Sequence, residues 1–526
     1  MKKLMLTTLV VAGAITMTGC GGGDSSSSSE QSQSTGTTGG NVPATGSQTN
    51  TGAQQGNDTQ TTPPVANPVE TDQESTDETS NNAGSRNGFT QTRWKKSLEV
   101  EVGSGAADAP NATMTGNGTA IAIWHQFNGT SYDIRTARMR IDEDAWEDLG
   151  VLFNAPEVVT RAEHTMNTPR APGIGIVSNN AGNVIATWSY ENSNDVDDSS
   201  NGIWVAHYGR TADVWDSPYL LHANCLSGQY TNVAINDTGN AVAAWVCQSA
   251  TGANNQIYAS VFDSIQRTWS TPVTVSSREH TLSYTTLTSN TTPPQVAIDK
   301  NGQPWIIYVA STADSEDSVY AATINNFGSW VISEIDQGNG DVETAKVTTT
   351  KTGISVAWVQ NETGLGYSVF ARNWNKSRNY WFAPIRIESH AGDAYGVDIC
   401  ANEKEDIFVT WAHRSDSNES QFSRALYATK FTPYNGWEKE KLVWDLGSDA
   451  AQIECDRFGN AEIVFSREHV FSAHYYSGFG WGSFSHVSPY NGGQVHEFDA
   501  NDSGQSIAIW RKEVDGVNSI FATRRK

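Results

Sequence analysis

The sequence predicts an all-β domain, a single β-propeller over residues 89–526 with eight four-stranded blades, closed by a strand from the domain's own N-terminal end. Two observations predict it. A short phrase, clearest as Asp237-Thr-Gly239-Asn240-Ala-Val-Ala-Ala-Trp245, recurs along the chain, and each end of the array holds what the other end lacks.

The phrase returns as Gly118/Trp124, Gly182/Trp188, Gly302/Tyr308, Gly353/Trp358, Gly459/Phe465 and Gly504/Trp510, and an eighth copy, without its glycine, ends at Trp411. Glycine and aromatic are six residues apart in six copies and five apart in Gly353/Trp358. Each copy reads as a tight turn, where Gly or Asn supplies a positive φ. The turn feeds a strand of small and β-branched residues that ends on a bulky aromatic.

An apolar-aromatic-small phrase follows each copy, as in Ile257-Tyr258-Ala259, Val319-Tyr320-Ala321, Leu426-Tyr427-Ala428 and Ile520-Phe521-Ala522. Beyond it stands a tryptophan: Trp146, Trp215, Trp269, Trp330, Trp381, Trp437 and Trp481. With an apolar strand before each turn, such as Val233-Ala-Ile235, one unit holds four short strands, A to D. Antiparallel units of this kind repeating about every 55 residues describe propeller blades.

The last unit stops at Lys526 after its third strand, and Trp94-Lys-Lys-Ser-Leu-Glu-Val precedes the first glycine at the spacing of a D-strand tryptophan. An N-terminal strand that completes the last blade hides the sheet edges an open array exposes. Seven blades with one degenerate copy is the alternative. The wording GNAxAxW, then IYA, then a tryptophan tail resembles a family of repeat-bearing bacterial lipoproteins, mostly of unassigned function. The resemblance covers residues 89–526, implies the fold and carries no activity.

Residues 1–19 read as a secretion signal: Lys2 and Lys3, a short apolar run from Leu4 to Met17, then Thr18-Gly19-Cys20. The run is too short to span a bilayer. Its ending resembles a lipobox, with Met17 in place of the usual Leu, which implies that Cys20 is acylated. Gly21 stands where an Asp marks inner-membrane retention, so the resemblance implies the outer membrane, on its periplasmic side or at the cell surface. Residues 20–88 are Gly, Ser, Thr, Gln, Asn, Pro and acids with no aromatic, a composition that cannot offset its ordering entropy and reads as a disordered tether. Such a coil spans roughly 45 Å on average.

The formal net charge is −24, which disfavours nucleic acid and anionic lipid headgroups as partners. The expected partners are the membrane, through the lipid anchor only, and a glycan or protein ligand. Cys225 and Cys247 flank a two-strand unit and either pair or remain idle thiols; Cys400 and Cys455 have no predicted state. No cysteine spacing matches a zinc motif.

Connection lengths point to one working face. The B–C connection varies from 7 residues (Phe465 to Ser472) to 17 (Trp188 to Val205), and the D–A connection from 22 to 36. Both emerge on the same side of a blade, where loops carry function on a rigid scaffold. Residues two past each B-strand aromatic are expected to ring its mouth: Gln126, Tyr190, Cys247, Ala310, Gln360, His413, Arg467 and Lys512. Tyr230, Tyr284 and Tyr395 either stack on sugar rings or pack their own loops. Asp195, Asp197 and Asp198 concentrate oxygen ligands and make a weak calcium candidate, without the EF-hand pattern; no other cofactor is implied. His413-Arg414-Ser-Asp416 and Arg467-Glu468-His469 pair titratable groups as acid/base work requires. A sialidase is disfavoured, because its Asp box lies between the third and fourth strands and its Arg-Ile-Pro motif is missing. The reading is a non-enzymatic binding lipoprotein; the alternatives are a carbohydrate-active hydrolase or lyase and an envelope assembly scaffold.

Overall fold

The phrase around Gly239 builds its own turn. Asn236 Oδ1 accepts from the N–H groups of Thr238 and Asn240, both at 3.1 Å. The Gly239 N–H closes on the Asn236 carbonyl at 2.9 Å. Gly239 sits at φ 86°, and the matching glycines of five other copies lie between 77° and 93°, a region closed to most side chains. Where the eighth copy lacks glycine, Glu405 is held at φ 64°. The five-residue copy is a tighter hairpin in which Thr350 pairs with Gly353.

These turns recur through a computed structural model that describes residues 94–101, 105–154, 174–190, 199–225, 229–247, 255–282, 293–312, 316–336, 340–414, 424–445, 447–448, 451–467, 469–488 and 494–526. Every regular element among them is a strand, and the strands form eight antiparallel sheets. Blade 3 shows the plan. Strands A (Gln229–Ile235), B (Ala241–Cys247) and C (Gln256–Asp263) pair in order, and strand D pairs with C in two pieces, Thr268–Trp269 and Val273–Thr274. Pro272 lies in that gap, as Pro218 and Pro384 lie in the gaps of blades 2 and 5; lacking an N–H, proline interrupts a ladder.

The ring closes as the two ends of the sequence predict. Leu98–Glu99 pairs with Val517–Arg525, the C strand of blade 8, placing Leu98 opposite Ala522, and Trp94 bridges Arg525. The N-terminal strand is thus the fourth strand of blade 8, and the count is eight. The A strands touch one another in sequence around the centre, the last (Gln494–Ala500) meeting the first (Ala107–Met114). At that seam Asp499 Oδ2 accepts from Thr113 Oγ1 and the Met114 N–H, each at 2.7 Å.

The core is a set of layers between neighbouring blades. Trp124 of blade 1 packs with Ile507, Ile509 and Ala522 of blade 8, and Trp358 of blade 5 packs with Trp305 and Val319 of blade 4. The B-strand aromatics are all fully buried, so each repeat copy fills the layer toward the preceding blade. The A–B and C–D turns share one face: the Ser264 N–H reaches Asn240 Oδ1 at 3.0 Å and the Ser477 N–H reaches Asn460 Oδ1 at 2.9 Å. The variable B–C and D–A connections therefore share the other.

Candidate functional site

The residues two past each B aromatic do not ring an open mouth. Gln126, Tyr190, Cys247, Ala310, Gln360 and His413 are buried, and only Arg467 is exposed, with Lys512 intermediate. The strand period explains the difference: two residues along a strand return to the same face, so the position shares the interblade layer with its aromatic.

In that layer the side chain fastens the D–A connection. Trp358 Nε1 donates to Gln360 Oε1 at 3.0 Å, while Gln360 Nε2 donates to the Gly340 carbonyl at 3.0 Å and to Asp336 at 3.2 Å. Gln126 repeats the pattern, accepting from Trp124 at 2.9 Å and donating to the Gly105 carbonyl. In blade 3 the position forms a disulfide, Cys225–Cys247, and Trp245 Nε1 donates instead to His222 Nδ1 at 3.0 Å. His222, Cys225 and Cys247 are the one group of three metal-ligating side chains among the described residues with ligand atoms within 4.8 Å of one another, but the disulfide engages both sulfurs. A second disulfide, Cys400–Cys455, joins the A strands of blades 6 and 7.

Blade 6 departs from the pattern. His413, next to last in its B strand (Ile407–Arg414), is 2 % exposed, yet neither ring nitrogen has a hydrogen-bond partner, nor does Trp411 Nε1. Glu388, from the D–A connection, places Oε2 at 3.9 Å from His413 Nδ1, and that oxygen is also without a hydrogen-bond partner. Gly392, at φ 126°, lets the connection come this close; a Cβ there would lie 2.2 Å from the Arg414 carbonyl oxygen and 3.2 Å from His413 Nε2. Buried polar groups are usually paired, so this blade holds hydrogen-bonding capacity that blades 1 and 5 have already satisfied.

The surroundings divide the titratable groups. Burial pushes the Glu388 carboxyl up to about 7, against the charge of Arg386. Burial, helped by His390, pushes His413 down to about 4. The 3.9 Å approach therefore brings together an imidazole that resists protonation and a carboxyl that resists ionisation. Next to them His390 Nδ1 lies 3.1 Å from Glu440 Oε1. Burial raises the Glu440 carboxyl, but hydrogen bonds from Ser389 and the backbone outweigh it and hold Glu440 below the usual carboxylate range. His390 is partly exposed, and its ring lies 4.7 Å from that of Tyr427 and 5.5 Å from that of His413. His390 is thus the solvent-side member of a cluster whose inner members are Glu388 and His413.

The remaining candidates find structural partners or fall elsewhere. Tyr395 bonds Asp393 at 3.2 Å, and the Arg424 and Arg414 guanidiniums lie 4.6 and 5.6 Å from its ring centre. Tyr230 packs against the layer between blades 3 and 4. The Arg467 N–H bonds the His469 carbonyl at 3.0 Å. Cys20, Asp195, Asp197, Asp198, Tyr284, Asp416 and Glu468 lie outside the described residues. A cavity of about 590 Å³ lies at the rim between blades 2 and 3, lined by His207, Tyr219, Phe262 and Trp269 among others. There Trp269 Nε1 donates to His207 Nε2 at 3.0 Å, and burial pushes His207 down to about 4. Sequence reasoning singled out His413 but missed Glu388, His390 and Glu440, because neither the D–A connections nor the gap within the D strand carries any part of the repeat phrase.

No family model and no curated protein matches the sequence. Solved structures align with the chain only remotely. A protein of unknown function from Dyadobacter fermentans aligns over 83% of this chain and 100% of its own, at 9% identity and TM-score 0.37. An ulvan lyase aligns over 76% of this chain and 96% of its own, at 11% identity and TM-score 0.46. An α-L-arabinanase from Penicillium chrysogenum aligns over 56% and 92%, at 12% identity and TM-score 0.38. Likenesses this remote say nothing of chemistry in this chain.

Proposed function

We propose that the protein is an envelope lipoprotein, acylated at Cys20, whose propeller binds a polar ligand, a glycan or a protein segment, on the B–C/D–A face at blade 6. The observation that supports it is the cluster around His413, where a buried imidazole, a buried carboxyl oxygen and the Trp411 indole lie together without hydrogen-bond partners behind a partly exposed His390. A rigid ring of sheets holds the cluster, which suits recognition through a few placed polar groups. The test is calorimetry of the domain against glycans and envelope proteins. Binding weakened about tenfold or more by His413→Gln and by His390→Ala, the loss of one or two hydrogen bonds to ligand, supports the reading; binding indifferent to both variants overturns it.

A second reading, a carbohydrate-active hydrolase or lyase, draws on the separation between Glu388 and His413. Two neighbouring groups displaced in opposite directions from their ordinary values suit acid/base chemistry. Turnover of a glycan without added cofactor, lost in Glu388→Gln, would replace the binding-module reading with this one.

A further inference from the structure

The face opposite the candidate site carries an unusual set of side chains. At the tips of the C–D turns stand Ile265 in blade 3, Phe327 in blade 4 and Tyr434 in blade 6, which are 93, 93 and 97 % exposed. Phe458, in the A–B turn of blade 7, is 51 % exposed on the same face. Large apolar side chains this exposed are costly to hydrate, and here they recur at one place in the repeat.

The turns hold these tips outward. Asp263 Oδ1 accepts from the Ile265 and Gln266 N–H groups at 2.8 and 3.0 Å, and Asn325 Oδ1 accepts from the Phe327 N–H at 2.9 Å. Little further ordering is needed for them to enter an apolar phase. Part of their setting is basic, although the chain as a whole carries −24 and the same face bears exposed Asp237 and Glu403 in the A–B turns of blades 3 and 6. Lys300 and Lys351, in the A–B turns of blades 4 and 5, and Arg378, in the C–D turn of blade 5, are exposed between the tips of blades 4 and 6. The acid in those three turns, Asp299, is buried and bonded to Lys376 at 2.5 Å.

The course of the chain decides what such a face meets. A D strand runs away from the C–D turns, so the N-terminal strand that completes blade 8 begins on this face. Trp94 bridges Arg525 there, beside exposed Lys95, Lys96 and Lys526. The first described residue of the propeller, Trp94, therefore lies on the side that bears Ile265, Phe327 and Tyr434.

We propose that this turn face docks on the membrane surface, with Ile265, Phe327 and Tyr434 entering the boundary between headgroups and acyl chains and Lys300, Lys351 and Arg378 meeting anionic headgroups. Apolar side chains flanked by Lys and Arg are the composition of interfacial membrane contacts, and an acyl anchor gains from a second membrane contact. The inference rests on the lipoprotein reading of Cys20 in that it names the anchoring membrane as the surface. Docking in this way turns the B–C/D–A face, with His413 and His390, away from the bilayer.

The test uses residues 86–526, one compact unit that contains every described strand and both disulfides. Flotation with vesicles of phosphatidylethanolamine and phosphatidylglycerol should carry the domain upward. The triple variant Ile265→Ser/Phe327→Ser/Tyr434→Ser should bind about tenfold or more weakly with an unchanged melting temperature, because these side chains support no core. A domain that ignores the vesicles, or a triple variant that binds like the parent, overturns the proposal. Labelling the full chain and its Cys20→Ser variant with an alkyne fatty acid tests the anchor separately. An unlabelled full chain with a vesicle-binding domain removes the anchor and leaves the docking face standing. A labelled chain whose domain ignores vesicles does the reverse.

Discussion

Arg525, one residue from the end of the chain, places Nη2 at 2.9 Å from Glu462 Oε2, with both side chains almost wholly buried between blades 7 and 8. Arg525 Nη1 also reaches His474 Nδ1 at 2.9 Å, and burial, then the Arg525 charge, push that imidazole down to about 3, so it stays a neutral acceptor. Its neighbour Arg524 points to the other side of the strand and donates to the Arg140 carbonyl at 2.5 Å in blade 1. Successive residues of one strand thus fasten the closing blade to both neighbours, while Trp94 pairs along its edge.

Removing one partner of a buried pair costs more than removing both. Arg525→Met should lower the unfolding free energy by about 3–5 kcal/mol, because Glu462 is left buried and uncompensated. Arg525→Met/Glu462→Leu should recover most of the loss. Urea unfolding of the parent, both single variants and the double variant checks this, and a double variant as unstable as Arg525→Met alone would sink the idea.

Glu405 occupies a left-handed position that glycine fills in six other copies, at φ 64°. A non-glycine residue there costs about 1 kcal/mol. Glu405→Gly should therefore stabilise the domain by up to about 1 kcal/mol, partly offset by the added freedom of the unfolded chain. Thermal unfolding reads the sign; a lower melting temperature contradicts the strain argument.

These contacts show what the sequence can and cannot reveal. The turn glycines, the B-strand aromatics and the tryptophan tails are repeated, and repetition made them legible as far as the docking of the stretch around Trp94 beside the sheet that carries Ala522. Gln126 and Gln360 were expected at the mouth, whereas the strand period places them in the interblade layer beside their tryptophans. Glu388 and His390 were not legible: they act through positions in a D–A connection whose spacing varies, and only Gly392 lets that connection approach His413. Nor did spacing reveal the Cys400–Cys455 pair, because its two cysteines belong to A strands of successive repeats and meet only when blades stack.

The disulfides should contribute unequally. Cys400 and Cys455 are 55 residues apart and Cys225 and Cys247 are 22 apart, so loop-closure entropy assigns about 4 kcal/mol to the former and about 3 kcal/mol to the latter. Cys400→Ser/Cys455→Ser should thus be the more destabilised of the two double variants in guanidinium unfolding. The reverse order would show that the link to the D–A connection of blade 3 matters more than the link between blades.

Acid should weaken the domain. His413 and His496 are buried, and burial first pushes each down to about 4, with Arg511 adding to the effect on His496. Unfolded imidazoles titrate near 6.5, so between pH 6.5 and 4 the unfolded chain binds protons that the folded chain refuses. The stability tied to each group is complete above pH 6.5 and is lost as pH falls toward 4, up to about 3 kcal/mol apiece. Glu388 runs the other way. Its folded carboxyl, raised to about 7, holds a proton that the unfolded carboxyl releases near 4.5, so its stability is present at low pH and lost as pH rises to 7. In blade 6 the two slopes oppose each other between pH 4.5 and 6.5, whereas His496 has no such counterweight. Melting temperatures should fall from pH 6.5 to 4.5 in the parent, and His496→Gln should flatten that fall.

His413→Gln separates function from stability. Gln126 and Gln360 show what glutamine does at this position: it accepts from the tryptophan two residues back and donates to a D–A carbonyl. Placed in blade 6, Gln would satisfy Trp411 Nε1 and reach the connection near Gly392, two hydrogen bonds that His413 does not make. Each is worth about 1 kcal/mol, so His413→Gln should raise the unfolding free energy by about 1–2 kcal/mol while weakening ligand binding at blade 6. A residue kept at a cost to stability is the pattern expected of a working site. Urea unfolding together with calorimetry distinguishes the outcomes: gain of stability with loss of binding supports the assignment, and loss of both would mean that His413 serves the fold in a way its contacts do not show.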